Sequence, residues 1–301
     1  MTKKMNVGVI GLGAMGLPMA KNLLRKGFEV TVFDARNEPI QTLEKLGAKI
    51  GHSPKEVGLQ SRIVLMSLPS SKEVEKVVAA EDGLAHNMKK GGVIVDTSTI
   101  DPAVSRRLAD ECEKMGLHMI DAPVSGGTTG AEKGTLSIMV GGDRYTVKRC
   151  KGVLQAVGRN IYHVGDVGAG QVFKIINNML VAINLIGVSE ALVLAMRAGV
   201  DPKLLYNVVK TSSGNSWALE QKLPVMIKNN FKLGFRVWLQ HKDLALAMSL
   251  ASQLGASLPM ASLAYQLYEA TKAIGLEDLD HSAVVKVLQH LSGISSARAA
   301  E

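Results

Sequence analysis

A short apolar run, Met5 to Ile10, passes directly into Gly11-Leu12-Gly13-Ala14-Met15-Gly16, and an acidic residue, Asp34, follows 18 positions after the last glycine. Few local patterns restrict a chain so much. The run has the length of one buried strand, and the loop after it must turn sharply, which favours backbone angles open to glycine at Gly11. Gly13 leaves room for a close approach to the main chain, and Gly16 lets the following helix pack tightly on the strand. That helix, read over Leu17 to Lys26 and stopped by Gly27, points its N-terminal amides and positive dipole end at the loop. A second strand, Phe28 to Phe33, ends in Asp34, whose carboxylate can accept from ribose hydroxyls. Strand, loop, helix, second strand and terminal acid together describe a pyrophosphate and adenosine site. Residues 11–16 and Asp34 are its candidate contacts, for NAD, with NADP as the alternative.

The strand–helix alternation continues to about residue 165. Further strands are expected at 62–67, 92–97, 117–120, 137–140 and 161–163. Ser53-Pro54 and Asp101-Pro102 each place a capping side chain before a first-turn proline, and Gly116 ends the helix that starts at Pro102. This alternation predicts an α/β Rossmann-type, doubly wound sheet, with ligands at the carboxyl ends of its strands. Leu68-Pro69-Ser70 and Thr97-Ser98-Thr99 fall at such ends.

After Gly170 the strand signals stop. Residues 171–198 are apolar on all sides (Val172, Phe173, Ile175, Ile176, Met179, Leu180, Ile183, Leu185, Ile186, Leu192, Leu194), which predicts a buried helix roughly 40 Å long. It would be the central spine of an all-α domain, with shorter helices near 203–212, 240–254, 259–274 and 280–291. The expected division is 1–165 for the nucleotide domain, 166–292 for a helical substrate and oligomerisation domain, and 293–301 as a fraying polar tail. So apolar a spine in so small a domain suggests a homo-dimer or homo-tetramer.

Composition narrows the class. Aromatics are 4% against 47% hydrophobic residues, so the core must be aliphatic and Met-rich. Two cysteines, Cys112 and Cys150, make no disulfide framework, which fits a reducing, cytoplasmic compartment. Lys3 and Lys4 before an apolar stretch resemble a secretion signal, but strand and glycine loop already account for that stretch. No uninterrupted apolar run approaches the ~18 residues of a membrane span; residues 179–188 come nearest and contain Asn184. The net charge of +8 is scattered in pairs and one cluster (Arg144, Lys148, Arg149, Lys151) without aromatic interleaving. That argues against nucleic acid and suits an anionic small molecule. The seven histidines show no metal-ligand spacing, so no metal is implied.

Three clusters carry candidate chemistry. Lys174 stands in the first turns of the apolar helix, with Asn177 and Asn178 at i+3 and i+4 on the same face. They read either as a donor cluster for an alcohol or carbonyl oxygen, or as a lysine snorkelling at a helix end beside two satisfied asparagines. Asp121-Ala-Pro-Val-Ser125-Gly126-Gly127 follows a strand and reads equally as an anion cradle or an ordinary turn. Leu239-Gln-His-Lys242-Asp243 opens a helix, where Lys242 by itself is an unremarked surface lysine. Trp217, in Ser213-Gly-Asn-Ser-Trp217, borders a pocket or belongs to the core.

Taken in order, Gly11–Gly16 with Met19-Ala20-Lys-Asn22-Leu23, Asp121–Gly127, Gly168-Ala-Gly170 with Lys174-Ile-Ile-Asn177-Asn178, and His241-Lys242-Asp243-Leu244 resemble the four signatures of the β-hydroxyacid dehydrogenases. The resemblance spans Met5 to Leu291. It implies that Lys174 is the catalytic acid/base and that Asn178 helps to hold the substrate. It also implies that Ser125, Gly126, Gly127, Asn177 and Lys242 line the substrate site, and that Leu68, Pro69, Thr99 and Lys242 lie near the nicotinamide half. The 6-phosphogluconate dehydrogenases carry a His where this chain has Asn177, and imine reductases typically lack the lysine. The implied activity is NAD-dependent interconversion of a small 3-hydroxy acid and its semialdehyde, of the 3-hydroxyisobutyrate dehydrogenase or tartronate semialdehyde reductase type. Dehydrogenases of 2-(hydroxymethyl)glutarate or L-threonate are the alternatives, and a non-catalytic dinucleotide-binding module is the rival from another class. An ordinary lysine ammonium is protonated at neutral pH, ready as the acid for reduction; to serve as base it would need burial or a second charge, such as that of Lys242.

Overall fold

The computed structural model describes residues 5–232 and 234–294, so the polar tail expected at 293–301 falls almost wholly outside the described residues. Contacts divide the chain into two compact units, the first ending at Lys174 and the second starting at Ile175.

The first unit runs β1 (Asn6–Ile10), α1 (Gly16–Arg25), β2 (Glu29–Phe33), α2 (Asn37–Glu44), β3 (Lys49–Ile50), α3 (Pro54–Gln60), β4 (Ile63–Met66), α4 (Ser71–Ala79), α5 (Leu84–Asn87), β5 (Val93–Asp96), α6 (Pro102–Lys114), β6 (His118–Asp121), β7 (Val124–Ser125), α7 (Gly127–Lys133), β8 (Leu136–Gly141), α8 (Arg144–Val157) and β9 (Gly158–Gly165). Its sheet has the order β3-β2-β1-β4-β5-β6-β8-β7, with β9 paired to β8. The first six strands are parallel, and β8 runs antiparallel to both β6 and β7.

Side chains alternate across this sheet because strand residues point to opposite faces in turn. Val7, Val9, Ile63, Leu65, Val93 and Val95 pack with Met19, Leu23, Cys150 and Leu154 on one face. Val64, Met66, Ile94 and Met119 pack with Val57, Val74, Val78, Leu108 and Cys112 on the other. Strands buried on both faces explain why each reads as a continuous apolar run. The predicted caps form: the Ser53 hydroxyl accepts from the Glu56 N–H at 3.2 Å, and the Asp101 carboxylate accepts from the Ala103 N–H at 2.8 Å.

The last helix to begin in the first unit is α9 (Ala169–Arg197). The second unit continues from it through α10 (Pro202–Val209), α11 (Trp217–Ile227), α12 (Val237–Leu254), α13 (Pro259–Ala273), a 3-10 turn at His281–Val284 and α14 (Val285–Leu291). Leu185, Ile186, Leu192, Leu219, Leu223, Leu244, Tyr268 and Val284 form its core. A Rossmann-type sheet followed by a helical unit agrees with the fold class expected from the sequence.

Two expectations need correction and a third needs qualification. The long helix is not buried all round: Phe173, Ile176, Leu180 and Leu194 are 44–70% exposed. Their spacings of three, four and fourteen keep them on one exposed stripe of the helix. Although no uninterrupted apolar run reaches the length of a membrane span, α9 as a whole is long and apolar enough by length and composition, and 44% of its most apolar window is buried in the protein. A count of uninterrupted apolar residues stops at Asn184 and at Ser189-Glu190, whereas the mean hydropathy of the helix stays high across them. Finally, Trp217 is no core residue. It opens α11 behind the N-cap Ser216 and is 58% exposed.

Candidate active site

The glycine loop is built as its sequence demands, and each glycine has a separate reason. Gly11 has φ +86°, and a Cβ there would lie 2.3 Å from the Ser67 carbonyl oxygen. A Cβ on Gly16 would lie 1.8 Å from the Gly11 carbonyl oxygen, so only glycine lets α1 start this close to the turn. Around Gly13, in contrast, a Cβ would meet nothing within 4 Å. The loop is tight beneath and open above, which fits a pyrophosphate lying on its backbone. The N-cap residue Met15 makes no side-chain cap, so the first amides of α1 are left without a side-chain acceptor, as at helix termini that take anions. Leu12 is buried beneath the loop, while Ala14 is exposed.

Asp34 follows the end of β2, and its Oδ2 accepts from the Leu12 N–H at 2.6 Å. Arg36 donates to the same carboxylate from its backbone N–H at 2.8 Å and from Nε at 3.0 Å. Burial alone would raise the Asp34 carboxyl, but these hydrogen bonds and the guanidinium charge hold it below the usual carboxylate range. The acid is therefore ionised at neutral pH, and both of its oxygens act as acceptors.

Leu68, Pro69 and Thr99 follow the carboxyl ends of β4 and β5, neighbouring strands in the sheet. The Leu68 N–H donates to Ser98 Oγ at 2.9 Å, which ties the two loops together. Ser125 ends β7, Gly126 and Gly127 open α7, and both glycines have positive φ, +126° and +62°. A Cβ on Gly127 would meet nothing within 4 Å. Lys174, half-buried, stands five residues into α9.

Two residues hold the start of that helix, a role that sequence reasoning gave to neither. The Asp121 carboxylate, fully buried at the end of β6, accepts from the Gly168 N–H at 2.7 Å and the Gln171 N–H at 2.8 Å. The Gln171 side chain, fully buried, reaches the loop after β5. Spacing could have hinted at Gln171, three residues before Lys174 on the same helix face. Nothing in the sequence marks Asp121 as its partner.

In the second unit Asn178 is buried, and its side-chain oxygen accepts from Asn177 Nδ2 at 2.9 Å. Its own Nδ2 donates to Asp243 Oδ2, and its backbone carbonyl accepts from Gln240 Nε2 at 3.0 Å. Lys242 lies beside Asp243, Nζ to Oδ1 3.2 Å, with its side chain 21% exposed. Gln240 and Asp243, both buried, are further omissions of the sequence reading, although they sit in the helix start it quoted. Behind them Gln240 Oε1 meets His281 Nδ1 at 3.2 Å. Burial pushes the His281 imidazole down to about 3, with the nearby Asp280 charge opposing that shift. Among the described residues, no group of three or more His, Cys, Asp or Glu could hold a metal ion.

The chain matches two family models: the NAD binding domain of 6-phosphogluconate dehydrogenase over residues 6–165, and the NAD-binding domain of NADP-dependent 3-hydroxyisobutyrate dehydrogenase over residues 168–288. It is 41% identical to the 2-(hydroxymethyl)glutarate dehydrogenase of Eubacterium barkeri, with 98% of each chain covered. It is 39% identical to the mitochondrial 3-hydroxyisobutyrate dehydrogenase of Mus musculus, over 96% of this chain and 88% of that one. The solved structure of a Mycobacterium tuberculosis 3-hydroxyisobutyrate dehydrogenase with L-serine superposes with a TM-score of 0.87 at 34% identity, covering 95% of this chain and 99% of that one. The chain belongs to the β-hydroxyacid dehydrogenase family and is an NAD(P)-dependent 3-hydroxyacid dehydrogenase.

Proposed function

We propose that the enzyme uses NAD to interconvert a short 3-hydroxy carboxylic acid and its semialdehyde, of the 3-hydroxyisobutyrate or tartronate semialdehyde type, with Lys174 as the acid/base. The observation that supports this best is the place of Lys174 in the first unit. It stands near the start of α9, whose first turn is tied to the carboxyl ends of β5 and β6, the edge at which open α/β sheets take their ligands. Bound NAD supplies or accepts the hydride at its nicotinamide ring. Residues 11–16 hold the pyrophosphate, and Asp34 holds the adenosine ribose. Leu68, Pro69 and Thr99 border the nicotinamide half.

Ser125, Gly126 and Gly127 offer backbone N–H groups to the substrate carboxylate, and Lys242 offers it a charge. Lys174 gives its proton to the carbonyl oxygen in reduction and takes it back in oxidation. Asn177 and Asn178 hold the same oxygen, with Asp243 and Gln240 fixing Asn178 in one orientation. Residues 1–165 are read as the nucleotide domain and 166–292 as the helical substrate domain, a division that falls nine residues before the break between the compact units at Lys174. The exposed stripe on α9 supports a homo-dimer or homo-tetramer, and light scattering that finds a 32.1 kDa particle at micromolar concentration refutes it. Two buried, unpaired thiols support a reducing, cytoplasmic compartment.

A turnover panel tests the substrate class. With NAD it includes 3-hydroxyisobutyrate, glycerate, L-threonate, L-serine and 2-(hydroxymethyl)glutarate; with NADH it includes methylmalonate and tartronate semialdehydes. The expected result is the highest kcat/KM on a three-carbon chain bearing one carboxylate. A clear preference for the five-carbon dicarboxylate overturns the substrate and keeps the reaction.

A further inference from the structure

A helix leaves its first four N–H groups without intrahelical acceptors, and something else must take them. At the start of α9 two of these groups, on Gly168 and Gln171, go to the two oxygens of one carboxylate, that of Asp121. The acid lies outside the helix, as the last residue of β6. The surroundings are shaped to admit it. A Cβ on Gly141 would come within 2.5 Å of Asp121 Oδ1, and one on Gly170 within 2.7 Å of Oδ2 and 2.3 Å of the Met139 carbonyl oxygen. A negative charge at the positive end of a long helix dipole is well placed.

The second tie starts where the first ends. Gln171, whose N–H is held by Asp121, extends its side chain to the loop after β5. Its Oε1 accepts from the Ile100 N–H at 3.1 Å, and its Nε2 donates to the Ser98 carbonyl at 2.9 Å. Both ends of the amide are used, and the two contacts fall on either side of Thr99. Lys174 follows three residues later on the same helix face, one turn on and about 4.5 Å along the axis. Asp121, Gln171, the loop at Thr99 and the turn that carries Lys174 therefore form one continuous chain of hydrogen bonds and backbone.

We infer that Asp121 and Gln171 are positioning residues, which fix the turn of α9 bearing Lys174 against the loop bearing Thr99. This rests on the reading of Lys174 as the acid/base. Neither residue touches the reacting atoms. A side chain that must meet one oxygen within hydrogen-bond reach loses much of its effect when its turn shifts by about 1 Å, on the order of 100-fold in rate. Burying a complete amide and a carboxylate here secures that turn more firmly than apolar packing would, because both groups accept or donate only along set directions.

The test is a double-mutant cycle on the full-length enzyme, with kcat, KM for both substrates and NADH affinity by fluorescence. Gln171→Met keeps the volume and removes both contacts. It should lower kcat about 10- to 100-fold, with NADH affinity within threefold and the far-UV spectrum unchanged. Gln171→Glu keeps the bond from Ile100 but sets a carboxylate oxygen against the Ser98 carbonyl, so its kcat should fall at least as far as that of Gln171→Met. Asp121→Asn, which puts an amide nitrogen against one helix N–H, should act in the same direction as Gln171→Met. In a Lys174→Ala background, Gln171→Met should change the residual rate less than threefold, because there is no ammonium left to place. A kcat for Gln171→Met within threefold of wild type overturns the inference. So does an equal fold-loss with and without Lys174, since that is a structural effect independent of the acid. Lys174→Ala near wild-type activity overturns instead the assignment of Lys174.

Discussion

Arg36 folds back on Asp34 so that its Nε and backbone N–H both meet Oδ1, while Leu12 of the glycine loop holds Oδ2. The guanidinium is thereby committed to the acid that would repel a 2′-phosphate. NADH should be preferred over NADPH by at least tenfold in kcat/KM, about 1.4 kcal/mol. Asp34→Ala should narrow or invert that ratio by releasing Arg36. A wild-type enzyme that favours NADPH tenfold sinks this account of the pair.

The glycines of the loop should separate by assay. Gly16→Ala forces a methyl group onto the Gly11 carbonyl, and should cost about 1–3 kcal/mol of stability as an overpacking change. Gly13→Ala has room for its methyl group and should melt within about 2 °C of wild type. Its KM for NADH should nevertheless rise tenfold or more, since the methyl group fills the space that the proposed site gives to the pyrophosphate. Thermal melts and NADH titrations on both variants decide it.

Lys174→Ala should lower kcat by at least 100-fold, the lower end of what a general acid–base group contributes, with NADH affinity little changed. Lys174→Arg should not restore it, because a guanidinium does not release its proton near neutrality. Lys242→Ala should raise KM for the acid more than it lowers kcat, the pattern of a lost carboxylate contact. A Lys174→Ala enzyme within fivefold of wild type identifies some other group as the acid.

His281 should make the second unit sensitive to acid. Its folded pKa, about 3, lies below that of an ordinary imidazole, because burial and the Lys222 charge outweigh the attraction of Asp280. The unfolded chain therefore takes up a proton that the folded one refuses. The stabilisation is complete above about pH 6.5 and is lost as pH falls from there towards 3. Between pH 7.5 and 4.5 wild type should lose about 2–3 kcal/mol more than His281→Gln, measured as the difference in urea unfolding between the two. Equal losses in both proteins would remove His281 from the explanation.

The local signals in this sequence were strong wherever a segment's own pattern decides its structure. Glycines with steric reasons, the Ser53 and Asp101 caps and the doubly buried strands all stand close to where their residues put them. α11 was missed because Pro224 interrupts a helix that tertiary packing nevertheless sustains, burying Leu219, Leu223 and Met226. The two-residue strands β3 and β7 were missed because pairing across the sheet defines them, and two residues carry no period of their own. Lys174, Asn177 and Asn178 drew notice as polar groups on an apolar helix. The roles of Asp121, Gln171, Gln240 and Asp243 were not legible, even where the residues stood inside a quoted motif, because those roles depend on partners 47 to 73 residues away. A buried polar residue shows what it costs in sequence, but only the fold shows what it holds.

The two cysteines sit in different layers of the first unit, Cys112 against one face of the sheet and Cys150 against the other. Burial pushes both thiols up to about 12, so neither offers thiolate at neutral pH while the layers are closed. Each becomes a timer for the opening of its own layer. The rate at which a thiol reagent labels Cys112 or Cys150 in the native enzyme reads how often α6 or α8 lifts from the sheet, and single Cys→Ser variants tell the two events apart. NADH should slow both labelling rates by the same factor, one plus the ratio of its free concentration to its Kd, if the two layers open only with the whole nucleotide-binding unit, and should slow one alone if they open separately.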